Sequence, residues 1–146
     1  MSQETLNAEI LALSNAKDWP SAIREWRLQT IWWSDVLDSC LCGTSIKEIC
    51  VLENRLNGNH AQVGNVCVKR FLGLPSDGLF RSLKKVKRDT VASFNEEMIR
   101  FAYERRVIND WEYKFYLNTW RDRTLTEKQH DKKVAINQKI LARLIR

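Results

Sequence analysis

Apolar residues recur every three or four positions through most of this chain, but cluster and alternate in one central stretch. Leu6, Ile10 and Leu13 form one apolar face, which predicts a short helix with Ser2 as its cap. Asp18 predicts a second helix start, with Pro20 tolerated in the first turn. Ile23, Trp26, Thr30 and Trp33 continue at helical spacing, and Val36 and Leu37 extend the face. Neighbours on a helix point about 100° apart, so Trp32 and Trp33 cannot both bury against one surface. Core packing is the ordinary fate of each, and the pair is also the candidate protein interface.

The centre reads differently. Ile46 to Leu52 is rich in β-branched and apolar residues, and Asn57-Gly58 is a strong turn signal. Gln62-Val63 and Val66-Cys67-Val68 complete a second strand, interrupted by a bulge or tight turn at Gly64-Asn65. The prediction is a β-hairpin hung after Cys40-x-Cys42-Gly43.

Beyond Pro75 the helical period returns. Leu79, Leu83 and Val86 share a face, and residues 90–106 predict a helix with Phe94, Met98, Phe101 and Ala102 inward. Asn109 or Asp110 caps the next helix, which carries Trp111, Phe115 and Trp120, with Tyr113 and Tyr116 to either side. Thr126 and Gln129 form a capping box for a last helix with Val134, Ile136, Ile140, Leu141 and Leu144 inward.

All five glycines lie between residues 43 and 78, and the two prolines are Pro20 and Pro75. They divide the chain into N-terminal helices (1–38), a Cys-rich hairpin finger (39–74) and a basic helical region (75–146), expected to form one compact unit. The fold class is α+β, mainly helical, around a central zinc-finger-like β-hairpin. No apolar run exceeds four residues, and the start lacks a basic region followed by an apolar one, so neither a membrane span nor a secretory signal is visible. A cytoplasmic location is expected, where thiols stay reduced.

That location matters because all four cysteines fall between residues 40 and 67, as Cys40-x-Cys42-x7-Cys50-x16-Cys67. Clustered thiols in a reducing compartment favour a metal over a disulfide. Cys40, Cys42, Cys50 and Cys67 are the expected ligands of a closed structural zinc site, with His60 as the alternative fourth ligand. Packing of Cys50 and Cys67 as small buried hydrophobes is the competing reading. No Cys-x-x-Cys pair supports redox chemistry.

The run Cys40-x-Cys42-Gly43, Ile46, Glu48, Cys50, Asn54, Asn57-Gly58 and Val63-Gly64-Asn65-x-Cys67-Val68-x-x-Phe71 resembles small, mostly uncharacterised zinc-finger-like proteins of bacteria, phages and mobile elements. Trp111-Glu112-x-x-Phe115-Tyr116 and Leu125-Thr126-x-Lys128-Gln129 extend the resemblance over most of the chain from residue 40. It implies a zinc-finger-like module in phage or mobile-element biology and carries over no catalytic residue. Thr44 stands where some related-looking sequences have a histidine after Cys-x-Cys-Gly.

Enzyme signatures are absent. His60 and His130 belong to no zincin or zinc-deaminase pattern, and there is no phosphate-binding glycine loop or nucleophile elbow. Asn57-Gly58-Asn59-His60 beside a possible metal site suggests a finger nuclease, but the rest of that constellation is missing. No small-molecule substrate is evident. Net charge is +6, made of −3 over residues 1–39 and +9 over the remainder. Arg81, Lys84, Lys85, Lys87 and Arg88, with Lys69 and Arg70 before them, predict phosphate contacts and hence nucleic-acid binding. The alternative is a phage-encoded inhibitor that docks on a bacterial host defence complex, in the manner of an anti-CRISPR, through its acidic start and Trp32-Trp33.

Overall fold

The tryptophan-rich segment is a strand. The computed structural model, which describes residues 3–146 apart from the side chain of Phe71, places it in β1 (Trp26–Ser39). β1 pairs antiparallel with β2 (Ser45–Asn54), which pairs antiparallel with β3 (His60–Gly64), giving the order β1-β2-β3. The expected helix through Trp33 is therefore corrected, and the reason is a bulge. Leu28 pairs with Leu52 and Thr30 with Val51, leaving Gln29 as an extra residue. The buried positions are Trp26, Ile31 and Ser34, with Leu28 and Trp33 half-buried, so the bulge breaks the strict alternation that would have marked a strand. Thr30, Ile31 and the two tryptophans also favour a pleated, half-buried surface.

The chain forms two compact units, Met1–Ser76 and Asp77–Arg146. The expected cut between residues 38 and 39 falls inside β1.

In the first unit, α1 (Gln3–Ala12) buries Leu6 and Ile10 as its spacing predicts. Ser2, its expected cap, lies outside the described residues. α2 (Trp19–Ile23) is capped by Asp18, whose carboxylate accepts from the Ser21 N–H at 3.0 Å. Across the sheet, Ile31, Cys50 and Val63 stand in one row, and Leu28, Leu52 and Ala61 in another. Glu25 is buried, and its carboxylate accepts from the Asn15 and Ala16 N–H groups and from Asn54 Nδ2, each at 2.8 Å. Asn54 in turn accepts from the Leu56 and Asn57 N–H groups, shaping the β2–β3 turn, where Gly58 takes φ +78°.

The second predicted strand ends at Gly64. Asn65 to Leu72 form α3, closed by Gly73 in the left-handed region at φ +66°. Val66-Cys67-Val68 are thus helical, and the strand-to-helix change occurs where a bulge was expected. Gly64 is extended at φ −76°, ψ 160° and serves as the helix N-cap.

The second unit holds α4 (Asp77–Arg88), α5 (Glu96–Glu104), α6 (Asp110–Thr119) and α7 (Glu127–Leu144). Leu79, Leu83, Val86, Phe94, Met98, Phe101, Ala102, Ile136, Ile140 and Leu144 are buried as expected. Both expected caps form complete capping boxes, Asn109 with Glu112 and Thr126 with Gln129. Two details differ. α6 turns Tyr116 fully inward while Trp111 stays exposed, because the phenol has partners inside: its oxygen accepts from the Phe94 N–H at 2.8 Å and donates to Asn137 Oδ1. α7 buries Lys133 and Asn137 on its inward stripe, leaving Val134 and Leu141 half-buried.

Candidate metal centre and basic surfaces

The turn between β1 and β2 presents two of the sulfurs. Cys40 N–H donates to the Thr44 carbonyl and Gly43 N–H to the Cys40 carbonyl, both at 2.8 Å, and Gly43 supplies the positive φ of 96° that closes this loop. The turn is tied to β3: Leu41 N–H donates to the Gln62 carbonyl at 2.9 Å, and Gln62 Nε2 to the Ser39 carbonyl at 3.1 Å. Since α3 starts directly after β3, its first turn meets this loop, and Cys67 is the third residue of α3.

The sulfurs of Cys40, Cys42 and Cys67 consequently lie within 4.8 Å of one another, with Cys42 and Cys67 at 3.5 Å. Cys40 and Cys42 are buried and Cys67 is half-buried. A tetrahedral ion bonded to thiolates at about 2.3 Å sets its sulfurs about 3.8 Å apart, so the three match one face of such a polyhedron. Backbone donors complete the fit. The N–H groups of Cys42 and Gly64 point at Cys40 Sγ from 3.4 and 3.3 Å, which favours a charged sulfur. The three residues can hold a metal ion.

Their electrostatics without a cation are frustrated. Burial pushes the Cys40 thiol up against its two N–H donors. Burial raises Cys42 as well, but the Thr44 hydroxyl and N–H, with the neighbouring thiols, outweigh it and bring Cys42 down to about 7. Burial, then hydrogen bonding to Cys42 and Cys40, drives Cys67 far above the ordinary thiol range. Three sulfurs this close cannot all ionise unless a cation shares their charge.

The structure does not bring Cys50 or His60 to the cluster. Cys50 sits opposite Val63 in mid-sheet, fully buried, and its thiol donates to Ser76 Oγ at 3.6 Å. The expected pairing of Cys50 with Cys67 fails because Cys67 is on α3, and Cys50 behaves as the small buried hydrophobe of the competing reading. His60 starts β3 on an exposed site, 3.5 Å from Glu53 Oε2. The expected four-cysteine set is thus three cysteines, and Thr44, at the position where the resemblance puts a histidine in some sequences, lies against the cluster with its Oγ1 3.3 Å from Cys42 Sγ.

The basic residues fall in two groups, one in each unit. Lys69 and Arg70 are exposed in the last turn of α3, on the helix that carries Cys67. On α4, the inward side is Leu79, Phe80, Ser82, Leu83 and Val86. Arg81, Lys84, Lys85 and Arg88 repeat at i, i+3, i+4 and i+7 and therefore share the outer face, flanked by Lys87. Trp32 and Trp33 are both half-buried and alternate to opposite faces of β1, so they do not form one apolar patch.

Among the described residues no helix is long and apolar enough to cross a membrane. Compared with family models, curated proteins and solved structures, the chain finds no match.

Proposed function

We propose that the chain is a non-enzymatic nucleic-acid-binding protein whose first unit is held together by zinc on Cys40, Cys42 and Cys67. The observation that carries this reading is the basic stripe of α4. Four cations share one face of a helix whose only acidic residue, Asp77, lies in its first turn. Such a stripe neutralises phosphates along a backbone and gives binding with little sequence preference. In the first unit the ion ties the β1–β2 loop to α3 and so fixes how Lys69 and Arg70 are displayed. Zinc is the proposed ion because an all-thiolate donor set and reducing surroundings suit it. A cytoplasmic setting in a phage or mobile element is part of the proposal and rests on the sequence resemblance.

The test is a mobility shift of the full chain with single- and double-stranded DNA and RNA at low and high salt, alongside elemental analysis. The expected result is zinc near one per chain and binding that weakens steeply with salt. Binding indifferent to salt, or none at low salt, would sink the phosphate-directed reading.

A second reading, docking on a bacterial defence complex as an inhibitor, is favoured by Val36 and Leu37. They are 72% and 66% exposed on the strand that carries Trp32 and Trp33. A pull-down from nuclease-treated host lysate, with the parent and with Val36→Asp/Leu37→Asp protein as bait, separates the two: specific capture by the parent that the variant loses supports docking.

A further inference from the structure

The donor count at the cysteine cluster has a chemical consequence. A closed structural site has four protein ligands, while a site that exchanges ligands has three. Among the described residues, no fourth His, Cys, Asp or Glu ligand atom joins Cys40, Cys42 and Cys67. Cys50 is engaged with Ser76 in mid-sheet, and His60 with Glu53. The cluster also has an outer side. Gly43 and Thr44 are exposed in the loop, Val66 beside Cys67 is 68% exposed, and Cys67 itself is half-buried. The Thr44 hydroxyl, a poor ligand for a thiophilic ion when neutral, stands on this side against Cys42 Sγ.

Resting on the metal-site reading above, we propose that an ion on these three sulfurs keeps one coordination position, on the Thr44 side, for an exogenous monodentate nitrogen or sulfur donor. An imidazole would bind there as the neutral ring. A small thiol would bind as its thiolate, passing its proton to the buffer. No sulfur is oxidised in either case. The first unit would then be a ligand-responsive metal site rather than a sealed staple.

The test uses the full chain loaded with cobalt(II), whose visible bands report coordination number and donor type. Titration with imidazole, and separately with 2-mercaptoethanol, is expected to shift the ligand-field bands saturably. The variant Thr44→His, which places an imidazole at that corner, is expected to show the shifted spectrum without addition and to ignore added donors. Cys50→Ser is expected to leave the wild-type spectrum and its response unchanged. Cobalt that binds with thiolate charge-transfer intensity but does not respond to either donor would overturn this inference while leaving the metal site standing. So would a Cys50→Ser spectrum lacking one thiolate. Failure to bind cobalt at all would overturn the metal site and this inference with it.

Discussion

The backbone N–H of Gly64 points at the sulfur of Cys40 across 3.3 Å, and the α-carbon that follows it has no room for a methyl group. A β-carbon at Gly64 would come to 2.8 Å from Ile46 Cγ2. Ile46 stands at the start of β2, next to the loop that carries Cys40 and Cys42, so the clash has to be relieved at the base of that loop. Gly64→Ala is expected to destabilise the first unit by about 1–3 kcal/mol, the usual range for overpacking, and to weaken metal binding. Urea denaturation and competition with a chromophoric chelator measure the two effects. Ile46→Ala in the same background should restore metal affinity. If Gly64→Ala binds metal as well as the parent, Gly64 has no part in shaping the cluster.

Single substitutions at the four cysteines separate ligands from filling. Cys40→Ser, Cys42→Ser and Cys67→Ser should each reduce bound metal from near one ion per chain toward none, and chelator should no longer shift the melting temperature of these variants. Cys50→Ser should retain metal, because its thiol faces Ser76 rather than the cluster. Its deficit should appear only in stability, as a polar hydroxyl replaces a buried thiol. Metal analysis after gel filtration decides; loss of metal in Cys50→Ser would restore the four-cysteine set.

Much of this was legible in the sequence where a residue's type and its local conformation agree. The capping boxes at Asn109–Glu112 and Thr126–Gln129, the turn at Asn57-Gly58 and the inward faces of α4 and α5 depend on neighbours within a few positions. Cys40 and Cys42 were legible together because a glycine-closed turn holds both. Three features were not. The bulge at Gln29 breaks the alternation by which a strand is recognised. The change from β3 to α3 at Gly64 has no side-chain cap to announce it, and it puts Cys67 on the first turn of a helix instead of on a strand beside Cys50. Tyr116 is buried through Phe94 and Asn137, partners about twenty residues away in either direction, which periodicity cannot register.

That phenol gives a stability prediction for the second unit. Its oxygen satisfies the Phe94 N–H and Asn137 Oδ1, while Asn137 Nδ2 donates to the Thr90 and Ala92 carbonyls at 2.9 and 2.8 Å. Tyr116→Phe keeps the ring and orphans two buried groups, so it should cost about 1–3 kcal/mol. Asn137→Leu should cost more, since it also releases the 90–92 carbonyls that shape the loop before α5. Equal stability of Tyr116→Phe and the parent in urea would show that the network contributes nothing net.

Acid should unfold the first unit partly through Glu25. Hydrogen bonds from the Asn54 side chain and from the Asn15 and Ala16 N–H groups outweigh burial and hold this carboxyl below its ordinary 4.5. A depressed folded-state value means that the ionised form favours folding. The contribution is fully present above the unfolded value, and it is lost as pH falls through the lower folded one. Glu25→Gln should therefore be less stable than the parent at neutral pH, with the gap narrowing as pH drops below about 4.5. Run with chelator present, the comparison at each pH isolates Glu25 from any metal held by the cysteines. A gap that is constant with pH would mean that its charge is not what stabilises the unit.

The α4 stripe makes a prediction that only phosphate contacts can satisfy. On the outer face of α4, Lys85 is exposed and Lys84 half-buried; Lys84→Ala/Lys85→Ala is expected to keep the helix fold, which circular dichroism checks before binding is compared. If each lysine neutralises one phosphate, the slope of log K against log salt should fall by about 1.8 on duplex DNA and about 1.4 on a single strand. The loss of affinity should be large at low salt and should nearly vanish at high salt, and it should be the same for unrelated sequences. Base-edge recognition would instead give a loss that depends on sequence and persists in salt. A general fall in charge, with no contact made by these side chains, is tested by Lys128→Ala/Lys132→Ala. That pair lies near the start of α7, where Glu127 and Asp131 alternate with the lysines, and it removes the same net charge. It should leave the salt slope unchanged; if it lowers the slope as much as the α4 pair does, the stripe is not the binding face.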